Sequence, residues 1–87
     1  MSIEIKEFYI FMNENGEYFS KDPYSGGYPF WSKYLESAEQ YKNMEKVKED
    51  SYYFKMFKDF FDKSKLCKVT IKTSTDIEGV DFYDVKN

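Results

Sequence analysis

Lys6-Glu7-Phe8-Tyr9-Ile10-Phe11-Met12-Asn13-Glu14-Asn15-Gly16-Glu17-Tyr18-Phe19-Ser20 is the stretch that decides the fold. Phe8, Ile10 and Met12 alternate with Tyr9 and Phe11, and that period of two among β-forming side chains reads as a strand. Asn15-Gly16 then signals a tight reversal, because both residues tolerate positive φ. Glu17 to Ser20 reads as the returning strand. A β-hairpin over residues 6–20 is therefore expected.

Working outward, Lys21 to Trp31 holds two Pro and two Gly among Tyr24, Tyr28, Phe30 and Trp31, which marks an ordered turn or loop. A short third strand around Tyr28–Ser32 fits the same stretch. Ser37-Ala38-Glu39-Gln40 matches a capping box. Leu35, Ala38, Tyr41 and Met44 recur every three residues, so a short helix is expected over 37–43. A longer helix is expected over 46–63, where Tyr53, Met56, Phe57, Phe60 and Phe61 form an apolar stripe. Either Asn43 or Asp50 would cap it. Cys67, Val69 and Ile71 alternate with Lys68, Thr70 and Lys72, the pattern of a half-buried strand. The acidic tail, 74–87, either adds an edge strand or docks loosely. The expected fold is one α+β domain over 1–87. Its small antiparallel sheet combines the N-terminal hairpin with the C-terminal strand, and two helices pack on one face. The helical stripe would meet Phe8, Ile10, Val69 and Ile71.

Composition narrows the chemistry. The chain has 87 residues, of which 22% are aromatic, and large rings let a small core bury enough surface without staples. One cysteine, Cys67, forbids an internal disulfide and points to a reducing compartment. Residues 1–12 mix charges with apolar residues, unlike a signal peptide, and no apolar run is long enough to span a membrane. All 13 basic residues are lysines, with no Arg and no His. Without His, the Ser-His and Cys-His nucleophile arrangements are excluded. Cys67 sits on an apolar strand face, as a core cysteine does. One Cys and no His exclude the usual zinc sites. Asp76, Glu78, Asp81 and Asp84 lack the spacing of a calcium loop. Ser25-Gly26-Gly27 is not followed by the Lys-Ser/Thr of a phosphate loop. No acid lies in an apolar context that would raise its pKa for acid–base work. The expectation is a non-enzyme with no cofactor and no metal.

Charge is segregated. Residues 1–41 carry −4, residues 42–72 carry +4 and residues 73–87 carry −3. The acidic ends, with Glu14, Glu17, Asp76, Glu78, Asp81 and Asp84, and the aromatic residues Tyr24, Tyr28, Phe30 and Trp31 are the candidate partner-binding positions. Tyr and Trp are enriched at the centres of protein interfaces. The alternative is a nucleic-acid-binding accessory protein that uses the Lys-rich segment 42–72, where Tyr and Phe are interleaved. Direct nucleic-acid binding ranks second, because five acids interrupt the lysines and the rings have core spacing.

The string from Phe8-Tyr9-Ile10 through Asn15-Gly16, Ser25-Gly26-Gly27-Tyr28-Pro29-Phe30-Trp31 and Leu35-Glu36-Ser37-Ala38 to Lys68-Val69 resembles small uncharacterised proteins. These are encoded by phages and prophages of AT-rich Gram-positive bacteria. The resemblance covers roughly residues 8–72 and leaves the acidic tail outside. By analogy with anti-CRISPR proteins, it implies a stoichiometric inhibitor of a host defence protein, such as a CRISPR effector. It would work in the cytoplasm of the bacterial host.

Overall fold

The computed structural model describes residues 5–72 and 75–80, and its architecture is α+β. The hairpin is present as β1 (Lys6–Asn13) and β2 (Tyr18–Asp22). Its turn differs from the expected pair of positive-φ residues. Gly16 alone adopts positive φ (75°), its N–H donates to the Asn13 carbonyl at 3.1 Å, and the Asn13 N–H donates to the Glu17 carbonyl at 2.9 Å. Asn13 Oδ1 also accepts from the N–H groups of Asn15 and Glu17. One glycine at the third loop position therefore suffices to reverse the chain.

After the hairpin come a 3₁₀ turn (Pro23–Ser25), β3 (Tyr28–Ser32) and a second 3₁₀ turn (Leu35–Ser37). Three short helices follow: α1 (Met44–Glu49), α2 (Ser51–Met56) and α3 (Lys58–Phe61). The described chain closes with β4 (Ser64–Ile71) and β5 (Thr75–Val80). The sheet order is β3-β2-β1-β4-β5, antiparallel throughout. Of the two readings of the tail, an added edge strand is what residues 75–80 form.

The helix expected over 37–43 is replaced by an extended wedge. β1 and β2 are in register at Met12 and Tyr18. Beyond that point Ala38 to Tyr41 supplies the partners. Tyr9 and Tyr41 exchange both N–H···O bonds, at 2.7 and 2.9 Å, and the Glu39 N–H donates to the Phe19 carbonyl at 2.8 Å. Ser20 Oγ donates to the Ser37 carbonyl at 2.7 Å. Ala38 and Tyr41 are both buried but belong to different clusters, whereas a helix would have set them on one face.

The helix expected over 46–63 is interrupted at Asp50 (φ −92°, ψ 12°) and at Phe57 (φ −110°, ψ 42°). Asn43 is the cap of α1, its side chain accepting from the Lys46 N–H at 2.9 Å. Aromatic residues are modest helix formers, and helices this short depend on tertiary packing. Phe61 of the expected stripe is buried, but Phe54, outside that stripe, is buried as well and Met56 is exposed.

Two apolar clusters divide β1 by its own alternation. Phe11 joins Phe19, Tyr41, Leu66, Val47 of α1, Phe54 of α2 and Phe61 of α3. Phe8 and Ile10 join Ala38, Cys67 and Val69, with Leu35 and Ile71 packed alongside. The helical rings thus meet Phe11, Phe19 and Leu66 rather than the expected Phe8, Ile10, Val69 and Ile71. Phe11 contacts Phe54 at 4.7 Å and Phe61 at 5.2 Å between centroids, and Phe19 contacts Phe61 at 4.8 Å. Such tilted and edge-on pairs add about 0.5–1.5 kcal/mol each beyond burial.

Candidate functional site

Edge strand β3 and the turn before it present three exposed aromatic side chains, Tyr24, Tyr28 and Phe30. Asp22 Oδ1 caps the Pro23–Ser25 turn by accepting from the Tyr24 N–H at 2.9 Å. Gly26 and Gly27 continue at φ 75° and 87°, and the Gly27 N–H returns to the Asp22 carbonyl at 2.8 Å. Tyr53 Oη then donates to the Gly27 carbonyl at 2.6 Å, tying the turn to α2. This bracing leaves Tyr24 98% exposed, with Tyr28 61% and Phe30 42% exposed on the strand that follows.

The rings continue onto the helices. Tyr28 lies 5.5 Å from Phe57, edge to face. Trp31 stacks on Phe60 at 4.3 Å with the planes 8° apart, and it is packed against the Phe11 cluster. Trp31 is therefore half-buried, while Tyr24, Tyr28 and Phe30 are exposed. Met56, Phe57 and Phe60 line a hollow of about 260 Å³ on this surface. A second cleft, of about 300 Å³, lies between the β1–β2 turn and α3. Glu14, Glu17, Trp31, Asp59, Phe60 and Lys63 are among its walls.

The remaining acidic candidates lie elsewhere. Asp76 and Glu78 sit on β5, opposite Thr70 and Lys68 of β4, at the sheet edge farthest from β3. Asp81 and Asp84 fall outside the described residues. Glu14, Glu17 and Trp31 are brought together, but the eight described candidates do not form one surface.

Sequence reading missed a polar node at the base of α2. Asp50 Oδ2 accepts from Tyr41 Oη at 2.7 Å and from Lys21 Nζ at 2.9 Å. Lys21 Nζ also lies over the Tyr53 ring, 4.6 Å from its centroid. Burial, then the Asp50 hydrogen bond and charge, push the Tyr41 hydroxyl well above the usual tyrosine range. Tyr53 is pushed up to about 12 by burial, then by the Asp50 and Glu39 charges. These partners lie far apart in the sequence, so no spacing announces them. Cys67 is 2% exposed, and burial raises its thiol pKa, which keeps it protonated and a poor nucleophile.

Among the described residues, no group of three or more His, Cys, Asp or Glu side chains is placed to hold a metal ion. Likewise, no helix there is long and apolar enough to cross a membrane. No family model matches the chain, and no curated protein or solved structure is significantly similar to it.

Proposed function

We propose that this protein acts without catalysis, by binding a protein partner through the aromatic edge formed by the Pro23–Ser25 turn and β3. The partner in this reading is a host defence protein, such as a CRISPR effector, inhibited stoichiometrically. One observation carries the binding surface: Tyr24, Tyr28 and Phe30 stand exposed on a braced turn and on a strand edge that is unpaired among the described residues. Large rings held in place bind at low entropic cost. The choice of a defence protein rests on the resemblance to phage proteins.

A second reading, nucleic-acid binding through residues 42–72, is favoured by the exposure of every lysine there except Lys68. It ranks lower because Phe54 and Phe61, two of the rings interleaved with those lysines, are buried in the core and not free to stack on bases.

The test is plasmid interference in bacteria that carry an active CRISPR effector. The protein should protect the plasmid, and Tyr24→Ala with Tyr28→Ala should reduce protection while leaving the unfolding midpoint nearly unchanged. No protection across a panel of effector types overturns the inhibitor reading. Protection that survives the double substitution overturns the aromatic edge. Binding of DNA or RNA that weakens steeply with salt would promote the second reading.

A further inference from the structure

The cleft between the β1–β2 turn and α3 has two kinds of wall. One is aromatic, formed by the stacked pair Trp31 and Phe60. The other is anionic, formed by Glu14, Glu17 and Asp59, against which Lys63 is, among the described residues, the one cationic side chain lining the cleft. Among the described residues, neither Glu14 nor Asp59 is engaged by a cation. Glu17 is held in place, its Oε1 accepting from Asn13 Nδ2 at 3.0 Å, and Asn13 is itself locked by the turn amides. Glu17 is thus oriented before any ligand arrives, which lowers the ordering cost of binding at that carboxylate.

We propose that this cleft binds the guanidinium group of an arginine carried by a protein partner. A guanidinium is planar and weakly hydrated, stacks on aromatic rings and presents five N–H donors to carboxylates. An ammonium is a compact, strongly hydrated charge that uses a flat aromatic wall less well. Three carboxylates against one ammonium leave the cleft net negative, which selects a cationic occupant. The chain contains no arginine of its own, so the occupant comes from another molecule. The cleft adjoins the β3 surface through Phe60 and Asp59, which line both hollows. The inference goes beyond the inhibitor reading and does not depend on it.

Trp31 is the only tryptophan, so its fluorescence reports directly on this cleft. The full-length protein is titrated with a hexaarginine amide and, in parallel, with a hexalysine amide of equal charge, at about 50 mM salt, where charge screening is weak. Hexaarginine should change Trp31 emission saturably and bind at least about tenfold more tightly than hexalysine. Glu14→Gln with Asp59→Asn removes two exposed carboxylates from the cleft and should weaken hexaarginine by at least about tenfold. Asp76→Asn with Glu78→Gln removes the same charge from the far sheet edge and should change affinity by less than about twofold. Equal affinity for the two peptides, equal weakening by the two double variants, or no change in Trp31 emission would each overturn the proposal. Because the probe is a peptide, failure here leaves the defence-protein reading to its own interference test, and failure there leaves this cleft standing.

Discussion

The Asp50 carboxylate stands immediately before α2 yet caps nothing; it reaches sideways to Tyr41 and Lys21 instead. A side chain less than a third exposed that satisfies a buried hydroxyl and an ammonium together is costly to remove, because both partners lose their acceptor. Asp50→Ala should destabilise the fold by about 2 kcal/mol, and Tyr41→Phe by about 1 kcal/mol, since it removes one hydrogen bond and leaves the ion pair. Urea denaturation checks both values. The same node makes stability depend on high pH. Unfolded tyrosine loses its proton near pH 10, whereas folded Tyr41 and Tyr53 keep theirs to higher pH. Below pH 10 both states are protonated and the contribution is fully present. Above it the unfolded chain holds fewer protons, so stability falls as pH rises; for buried Tyr41 the slope is about 1.4 kcal/mol per pH unit. The Tyr53 contribution is lost between pH 10 and about 12. Between pH 8 and about 11, the native sequence should therefore lose more stability than Tyr41→Phe, as measured by paired urea titrations. Parallel pH curves for the two proteins would contradict the Tyr41 assignment.

Among elements, those whose signal is local were legible and those whose partners are remote were not. The hairpin, β3 and β4 follow from alternation and turn residues that lie within a few positions of one another. The wedge Ala38–Tyr41 does not, because what makes it extended is hydrogen bonding to Tyr9 and Phe19. Its three-residue apolar spacing imitates a helix, while Ala38 and Tyr41 enter different clusters. β1 carries large apolar residues on both faces, so alternation alone does not say whether Phe8 or Phe11 meets the helices. The aromatic edge was visible because Gly, Pro and rings lie together in sequence. The cleft was only half visible: Glu14 and Glu17 were singled out, but Asp59 and Phe60 arrive from α3. The wedge gives its own prediction. Ala38 already has φ −64° and ψ 144°, a conformation compatible with a following proline. Glu39→Pro should therefore act mainly by deleting the N–H that bonds to the Phe19 carbonyl, costing about 1–3 kcal/mol. Were residues 37–43 instead a helix capped at Ser37, Glu39 would lie in its first turn, where proline is tolerated, and the substitution would cost little. Unfolding midpoints of Glu39→Pro and Glu39→Ala, compared side by side, separate the two geometries.

At the scale of the whole molecule, an open sheet has two edges, and this chain treats them differently. β5 carries Asp76 and Glu78 along a strand that is exposed almost throughout, so charge discourages pairing with another chain. β3 carries exposed Tyr28 and Phe30 and has little charge to discourage association. Its one internal guard is Pro29, which lies opposite Lys21 and has no N–H to offer a neighbouring strand. That arrangement suits a surface meant for side-chain contact with a partner without continuous strand addition. It also locates the risk of self-pairing: restoring a donor at position 29 would complete an apolar edge. Pro29→Val should leave the fold within about 1 kcal/mol of the native sequence, because valine favours strands and an edge position tolerates the exchange. It should nevertheless raise the mass measured by light scattering as concentration increases. Adding Phe30→Lys to Pro29→Val should return the protein to the mass of the native sequence, since an edge lysine opposes pairing. Association of Pro29→Val that persists after this second substitution would place the contact elsewhere on the molecule, away from β3.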